Sequence, residues 1–239
     1  MICSNDPSVS RCGSFYDGFD VRIPDSDVFR RRLVKRRYLT EFEKGDRIAN
    51  PGDSIDTCYF IDSGSVIEYE VLGNRRRIYE IFRPDTLLFQ TYALYQRPCS
   101  FYYEAREHCM LYSITLDKVS QLMVTSRAFL MSCTVQTTRE LMVTKDLLRK
   151  TANRSASWLI ADLILILASR ESHMENGLLC LNARYTQQEI ADMLALNRVT
   201  CLRELHRLED LELIRLLSGR IALTNPEGLA AYRCSTCER

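Results

Sequence analysis

The chemistry that this chain can do is clearest between Thr186 and Arg207. In Thr186-Gln187-Gln188-Glu189 a threonine hydroxyl can cap a helix start while the glutamate three residues on returns the bond, the reciprocal pattern of a capping box. Ile190, Ala191 and Leu194 give that helix a packing face. Ala195-Leu196-Asn197 then makes a short turn, and Asn197 can cap a second helix from Arg198 to about Asp210. On the second helix Val199, Leu202, Leu205 and Leu208 fall on one face, which leaves Arg198, Thr200, Arg203 and Arg207 outward. An arginine fork can pair with guanine N7 and O6, a threonine can touch a thymine methyl or a phosphate, and helix N-termini such as that at Gln187 and Gln188 favour phosphate. Acidic Glu204, Glu209, Asp210 and Glu212 temper this basic face.

Other reactive residues fit catalysis or metal binding poorly. The chain has three histidines, and only His108 lies in the β-rich region, so a metal-dependent barrel enzyme lacks its ligands and no metal site or catalytic residue is expected. Cys234-x-x-Cys237 is a single pair near the end, read as an inert tail or as a functional dithiol. Ten cysteines keep a thiol switch open as an alternative mode of control.

The elements that position these residues follow from turn signals and periodicity. Gly45-Asp46, Pro51-Gly52-Asp53, Asp62-Ser63-Gly64 and Gly73-Asn74 punctuate short runs rich in aromatic and β-branched residues, notably Cys58 to Ile61, Val66 to Leu72 and Arg77 to Phe82. Phe101 to Ala105 and Met110 to Ile114 continue the set, and the rhythm predicts an antiparallel β-roll. From Leu116 the period turns helical. Leu130, Thr134, Thr137, Leu141, Thr144 and Leu148 form a seam that either pairs with a second copy or packs on the chain's own β-roll. Arg149 to Ser157 reads as a hinge, and Leu213 to Leu217 with Arg220 to Leu223 reads as a two-stranded wing turned at Ser218-Gly219.

The fold expected is therefore α+β: an effector-sensing β-roll with its long helix over residues 20–150, and a winged helix-turn-helix over 154–239. The basic run Arg30 to Arg37 is a solvated face or a nucleic-acid contact. Met1 to Phe19 has no signal-peptide character and Trp158 to Ala168 is too short to span a bilayer, so a cytoplasmic chain without membrane contact is expected. A net charge of +1 names no partner.

Phe42-Glu43-Lys44-Gly45-Asp46, Pro51-Gly52-Asp53, Tyr59 through Val66, Thr186 through Ile190, Arg198-Val199-Thr200 and Leu205 through Ile214 occur in an order that resembles the Crp/Fnr family of bacterial transcription regulators, over roughly Tyr38 to Tyr232. The resemblance implies a homodimer paired through the helix around Leu130 to Leu148. It implies a palindromic promoter site in double-stranded DNA, RNA polymerase as a partner, and a small-molecule effector. It carries DNA binding onto Thr186, Gln187, Gln188, Arg198, Val199, Thr200 and Arg203, and effector binding onto Phe82, Phe89, Gln90, Thr91, Tyr92, Cys99, Ser100, Thr144 and Lys145.

Several positions depart from the family pattern. Gln90-Thr91 stands where cyclic-nucleotide binders have Gly-Glu, Cys99 replaces the phosphate-holding arginine, and Lys145 follows Thr144 where a serine is usual, so cyclic AMP is not expected and the effector and any cofactor stay unknown. Phe82, Phe89, Tyr92, Tyr95, Phe101, Tyr102 and Tyr103 are walls for an aromatic or apolar effector, or plain core. Cys3, Cys12 and Cys58 are spaced unlike the family's iron-sulfur ligands, and His108-Cys109 reads as strand filler rather than haem ligation. Val199 replaces a common glutamate and is open to a thymine methyl or to the core.

Overall fold

A computed structural model of the chain describes residues 38–73, 75–217 and 219–236. The basic run Arg30 to Arg37, Cys3, Cys12 and Cys237 lie outside the described residues. Two compact units divide between Thr144 and Lys145.

In the first unit the strands are β1 (Leu39–Phe42), β2 (Arg47–Ala49), β3 (Thr57–Ser63), β4 (Val66–Leu72), β5 (Arg75–Phe82), β6 (Leu87–Leu88), β7 (Tyr102–Ala105) and β8 (Cys109–Thr115). They form two antiparallel four-stranded sheets, ordered β1-β8-β3-β6 and β2-β7-β4-β5. Cys58 and Phe60 of β3 alternate inward, the register shifts just beyond Ile61, and Phe60, Ile61, Leu87, Leu88 and Leu111 fill the core. The turn from β3 to β4 requires glycine. Gly64 has φ +84, and a Cβ there would lie 2.4 Å from the His108 carbonyl oxygen.

Three helices complete this part: α1 (Gln90–Tyr95), α2 (Leu116–Thr125, capped by Thr115) and α3 (Arg127–Asn153). α3 packs on the β-roll through Phe129, Cys133 and Gln136. Gln136 completes an edge: its Nε2 donates to the Leu87 carbonyl at 2.8 Å, and the Leu87 N–H donates to its Oε1 at 3.1 Å. A side-chain amide thus takes the place of a missing strand beside β6. Within the expected hinge α3 runs unbroken to Asn153, leaving Arg154 and Ser155 between it and the next helix, and the compact units divide inside α3.

The second unit contains α4 (Ala156–Arg170), β9 (Ser172–Glu175), β10 (Leu178–Leu181), α5 (Gln187–Met193), α6 (Arg198–Asp210), β11 (Ile214–Leu217), β12 (Arg220–Leu223) and α7 (Pro226–Ser235). Ser155 caps α4 by accepting from the Trp158 N–H at 3.2 Å. The strands form one sheet, ordered β11-β12-β10-β9. The wing, β11 with β12, closes at Leu217 and Arg220 as its spacing predicts. A second hairpin, β9 with β10, turns at Asn176 (φ 51) and Gly177 (φ 78), both in the left-handed region that a two-residue turn of this hand needs. Buried Asp162 on α4 accepts from Arg233 Nη1 on α7 at 2.9 Å, fixing the last helix to the first.

Candidate DNA interface and effector cavity

Helix α5 begins with the complete capping box: the Glu189 N–H donates to Thr186 Oγ1 at 3.1 Å, and the Thr186 N–H donates to Glu189 Oε2 at 2.8 Å. The Thr186 hydroxyl is therefore committed to the helix start. Gln188 donates to Asp192 Oδ1 at 2.6 Å along the same helix, while Gln187 is half-buried. Asn197 caps α6 by accepting from the Val199 N–H at 2.9 Å.

The faces of α6 leave Val199, open in the sequence to the core or to a thymine methyl, on the outside, and differ from the expected assignment at Thr200. Its packing side is Cys201, Glu204, Leu205 and Leu208, with Leu202 half-buried. Val199 is 71% exposed, because it lies in the first turn, ahead of the part of α6 that contacts the domain, and so shares the outer face with Arg198 and Arg203. Thr200 is half-buried rather than free. Conversely, Glu204 does not oppose the basic face. It is buried, accepts from the Ser157 hydroxyl at 2.6 Å and lies 3.4 Å from Arg203 Nε and 3.9 Å from Arg207 Nη1. Glu209 is likewise drawn toward the wing, accepting from the Leu216 N–H at 2.8 Å. The outward surface of the helix start is left to Arg198, Val199 and Arg203, a set suited to reading base edges in a major groove.

The first unit contains a cavity of about 390 Å³ that opens to solvent. Of the residues expected there, Phe82, Phe89, Gln90, Thr91, Tyr92 and Thr144 line it. Cys99, Ser100 and Lys145 do not. Buried Cys99 donates its thiol to the Phe101 carbonyl at 3.1 Å, the Ser100 N–H donates to Tyr92 Oη at 3.3 Å, and exposed Lys145 falls in the other compact unit. Phe101 and Tyr103 join the walls as expected, but Tyr95 is exposed and Tyr102 stacks on Tyr69 at 5.2 Å. Phe89 holds a left-handed backbone (φ 70) that costs an aromatic residue about 1–2 kcal/mol. Its ring meets Tyr103 edge to face at 4.7 Å, an offsetting contact.

Glu68, Glu80 and Glu140 also line this cavity, and the sequence did not mark them. They come from β4, β5 and α3, so no local spacing links them. Glu68 pairs in register with Glu80, and a bulge beside this pair brings both Tyr79 and Glu80 to the cavity. Burial above all, then neighbouring carboxylates, raises Glu68 to about 8 against a pull from its Tyr103 hydrogen bond. Burial raises Glu140 to about 7, while a hydrogen bond from Gln136 pulls it back. Among the described residues no lysine, arginine or histidine lines the cavity.

The described cysteines are free, and all but half-buried Cys234 are buried. Burial pushes the Cys58 and Cys133 thiols up to about 12 and Cys201 to about 11, which suppresses thiolate chemistry there. Among the described residues no group of His, Cys, Asp and Glu is arranged to hold a metal ion, and no helix is long and apolar enough to cross a membrane.

Comparison with known proteins places two family profiles on the chain: a cyclic nucleotide-binding domain over residues 39–126 and a Crp-like helix-turn-helix domain over 160–232. Among solved structures it is similar to a transcriptional regulator of the CRP/FNR family from Thermus thermophilus, with 21% identity, 83% of this chain and 99% of that one covered, and a TM-score of 0.69. FixK2 from Bradyrhizobium japonicum gives 18% identity, 81% and 96% coverage, and a TM-score of 0.68. The c-di-GMP responsive regulator CLP from Xanthomonas campestris gives 20%, 83% and 99%, and 0.69. No curated protein matches by sequence.

Proposed function

The chain belongs to the Crp/Fnr family of DNA-binding transcription regulators, with an effector-binding domain joined to a helix-turn-helix domain, and from that premise we propose that it acts as a homodimer on a palindromic promoter site under control of a small molecule other than cyclic AMP. The observation that carries the reading is the outer face of α6, where Arg198, Val199 and Arg203 stand exposed beside a fully capped helix start while Glu204 is turned inward. In this role Arg198 and Arg203 read base edges, Val199 and Thr200 contact thymine methyls or phosphate, and Thr186, Gln187 and Gln188 lie toward the phosphate backbone.

Pairing of two copies is supported by α3. Its inner face packs on the β-roll, yet Leu130, Leu141 and Leu148 are exposed on the heptad-like seam, which is the pattern of a helix awaiting a second copy. Two recognition helices related by a two-fold axis match a palindrome, and a promoter-bound dimer is placed to contact RNA polymerase. Control by something other than cyclic AMP is supported by the cavity, which presents carboxyl groups and, among the described residues, no cation to a ligand phosphate.

The test is mobility shift of the purified protein on its own promoter region across a salt series, with Arg198→Ala, Arg203→Ala and added cyclic AMP. Specific, salt-sensitive binding, lost in both variants and unchanged by cyclic AMP, is expected. Specific binding that survives both substitutions removes α6 as the reader.

A further inference from the structure

The cavity of the β-roll offers carboxyl groups where an anionic ligand needs cations, and its polar groups converge on a different chemistry. Glu68 and Glu80 stand directly across an antiparallel pair, an arrangement of like charges that weakens a sheet. Glu140 adds a third carboxyl from α3, and no basic side chain among the described residues lines the wall; Arg139 acts on Glu140 only as its weakest influence, and Arg77 lies over the Tyr79 ring at 5.2 Å. A second observation is independent of charge. Gln90 is only 2% exposed and lines the cavity; its Nε2 is directed to Thr137 Oγ1 at 3.3 Å, and its Oε1 has no hydrogen-bond partner. A buried acceptor without a donor is costly unless a ligand supplies one.

We propose that this cavity is a receptor for an organic cation carrying N–H donors on an aromatic or apolar body, such as an amine, amidine or guanidine, with Glu68, Glu80 and Glu140 facing its charge and Gln90 Oε1 accepting one of its N–H groups. The aromatic walls suit the body of such a ligand, since ring faces attract cations and bury apolar surface. An organic ion fits better than a metal, because these carboxyls are not grouped at ligating distance. The proposal rests on the reading of this cavity as the effector site.

A charge series of one shape tests it: benzamidine, benzamide and benzoate, titrated into the full-length protein by calorimetry above the range in which the carboxyls take up protons. Benzamidine is expected to bind at least about tenfold more tightly than benzamide, a difference of about 1.4 kcal/mol, with benzoate undetected. In a Glu68→Gln/Glu140→Gln double variant, shown folded by circular dichroism, that preference is expected to collapse. Benzamide or benzoate binding as tightly as benzamidine overturns the cation receptor and leaves the cavity an effector site. A benzamidine preference undiminished in the double variant also overturns it. Absence of binding by all three removes both the cation receptor and the effector reading.

Discussion

The Ser157 hydroxyl donates to the buried carboxylate of Glu204 at 2.6 Å, so the middle of the exposed helix α6 is held by the first turn of α4. Glu204→Ala leaves that hydroxyl and the flanking Arg203 and Arg207 without their shared acceptor, and is expected to destabilise the domain by about 1–3 kcal/mol. Urea unfolding followed through buried Trp158 measures it. In a cycle with Ser157→Ala the two losses should fall short of additive; strict additivity would mean that the pair is not coupled.

Val199 stands in the first turn of α6 with most of its side chain in solvent. Val199→Ala is accordingly expected to change stability by no more than about 0.5 kcal/mol. Its effect should appear in recognition, as weakened discrimination at one base pair of the site, where a mismatch otherwise costs about 1–3 kcal/mol. Binding to a panel of single-substituted operators reads this directly, and an unchanged panel would assign Val199 no part in base contact.

Leu130 and Leu148 lie on the exposed seam of α3 and are absent from the cavity wall. Leu130→Glu with Leu148→Glu is expected to convert a dimer to monomers in sedimentation velocity without unfolding the chain. DNA affinity should drop with it, since each monomer reaches one half-site. A double variant that remains dimeric places the interface elsewhere.

The cavity carboxyls also set a pH dependence. Burial raises Glu68 from 4.5 to about 8 and Glu140 from 4.5 to about 7, so between those values the folded chain holds protons that the unfolded chain releases. Their stabilising contribution is complete below pH 4.5 and is lost as pH rises through about 7 to 8. Thermal melting from mildly acidic to mildly alkaline pH should show Tm falling across this window, with the slope reduced in Glu68→Gln/Glu140→Gln. An identical slope in the double variant would assign the titration to other groups.

The parts visible in the sequence were those written in local spacing. Thr186 and Glu189 are three residues apart, and their capping box forms as read. The turn at Gly64 and the wing turn at Gly219 follow from residues that tolerate positive φ. Asn176-Gly177 carries the same kind of signal for the β9-β10 hairpin, and Asn225-Pro226 signals α7 by a cap and a proline at the first helical position. The carboxyls of the cavity are a different case: Glu68 meets Glu80 only through strand register, and Glu140 only through the packing of α3. Val199 stays open between the core and the outer face in the sequence for a related reason, since helical periodicity fixes which residues share a face but not where along the helix its neighbours begin.

The second sheet ties down both ends of the helix pair α5 and α6. Strand β10 precedes α5 and α6 in the chain, strand β12 follows them, and the two pair directly, Leu179 with Leu223 and Cys180 with Ala222. The helix pair is thus an insertion between neighbouring strands, its ends tied together by a ladder that closes only when the intervening residues are folded. An excised helix-turn-helix peptide lacks that closure and pays the full nucleation cost of two short helices. Within the domain, fraying of α6 is opposed by the same strand pairs that hold the wing, so α6 and the wing lose structure as one cooperative unit.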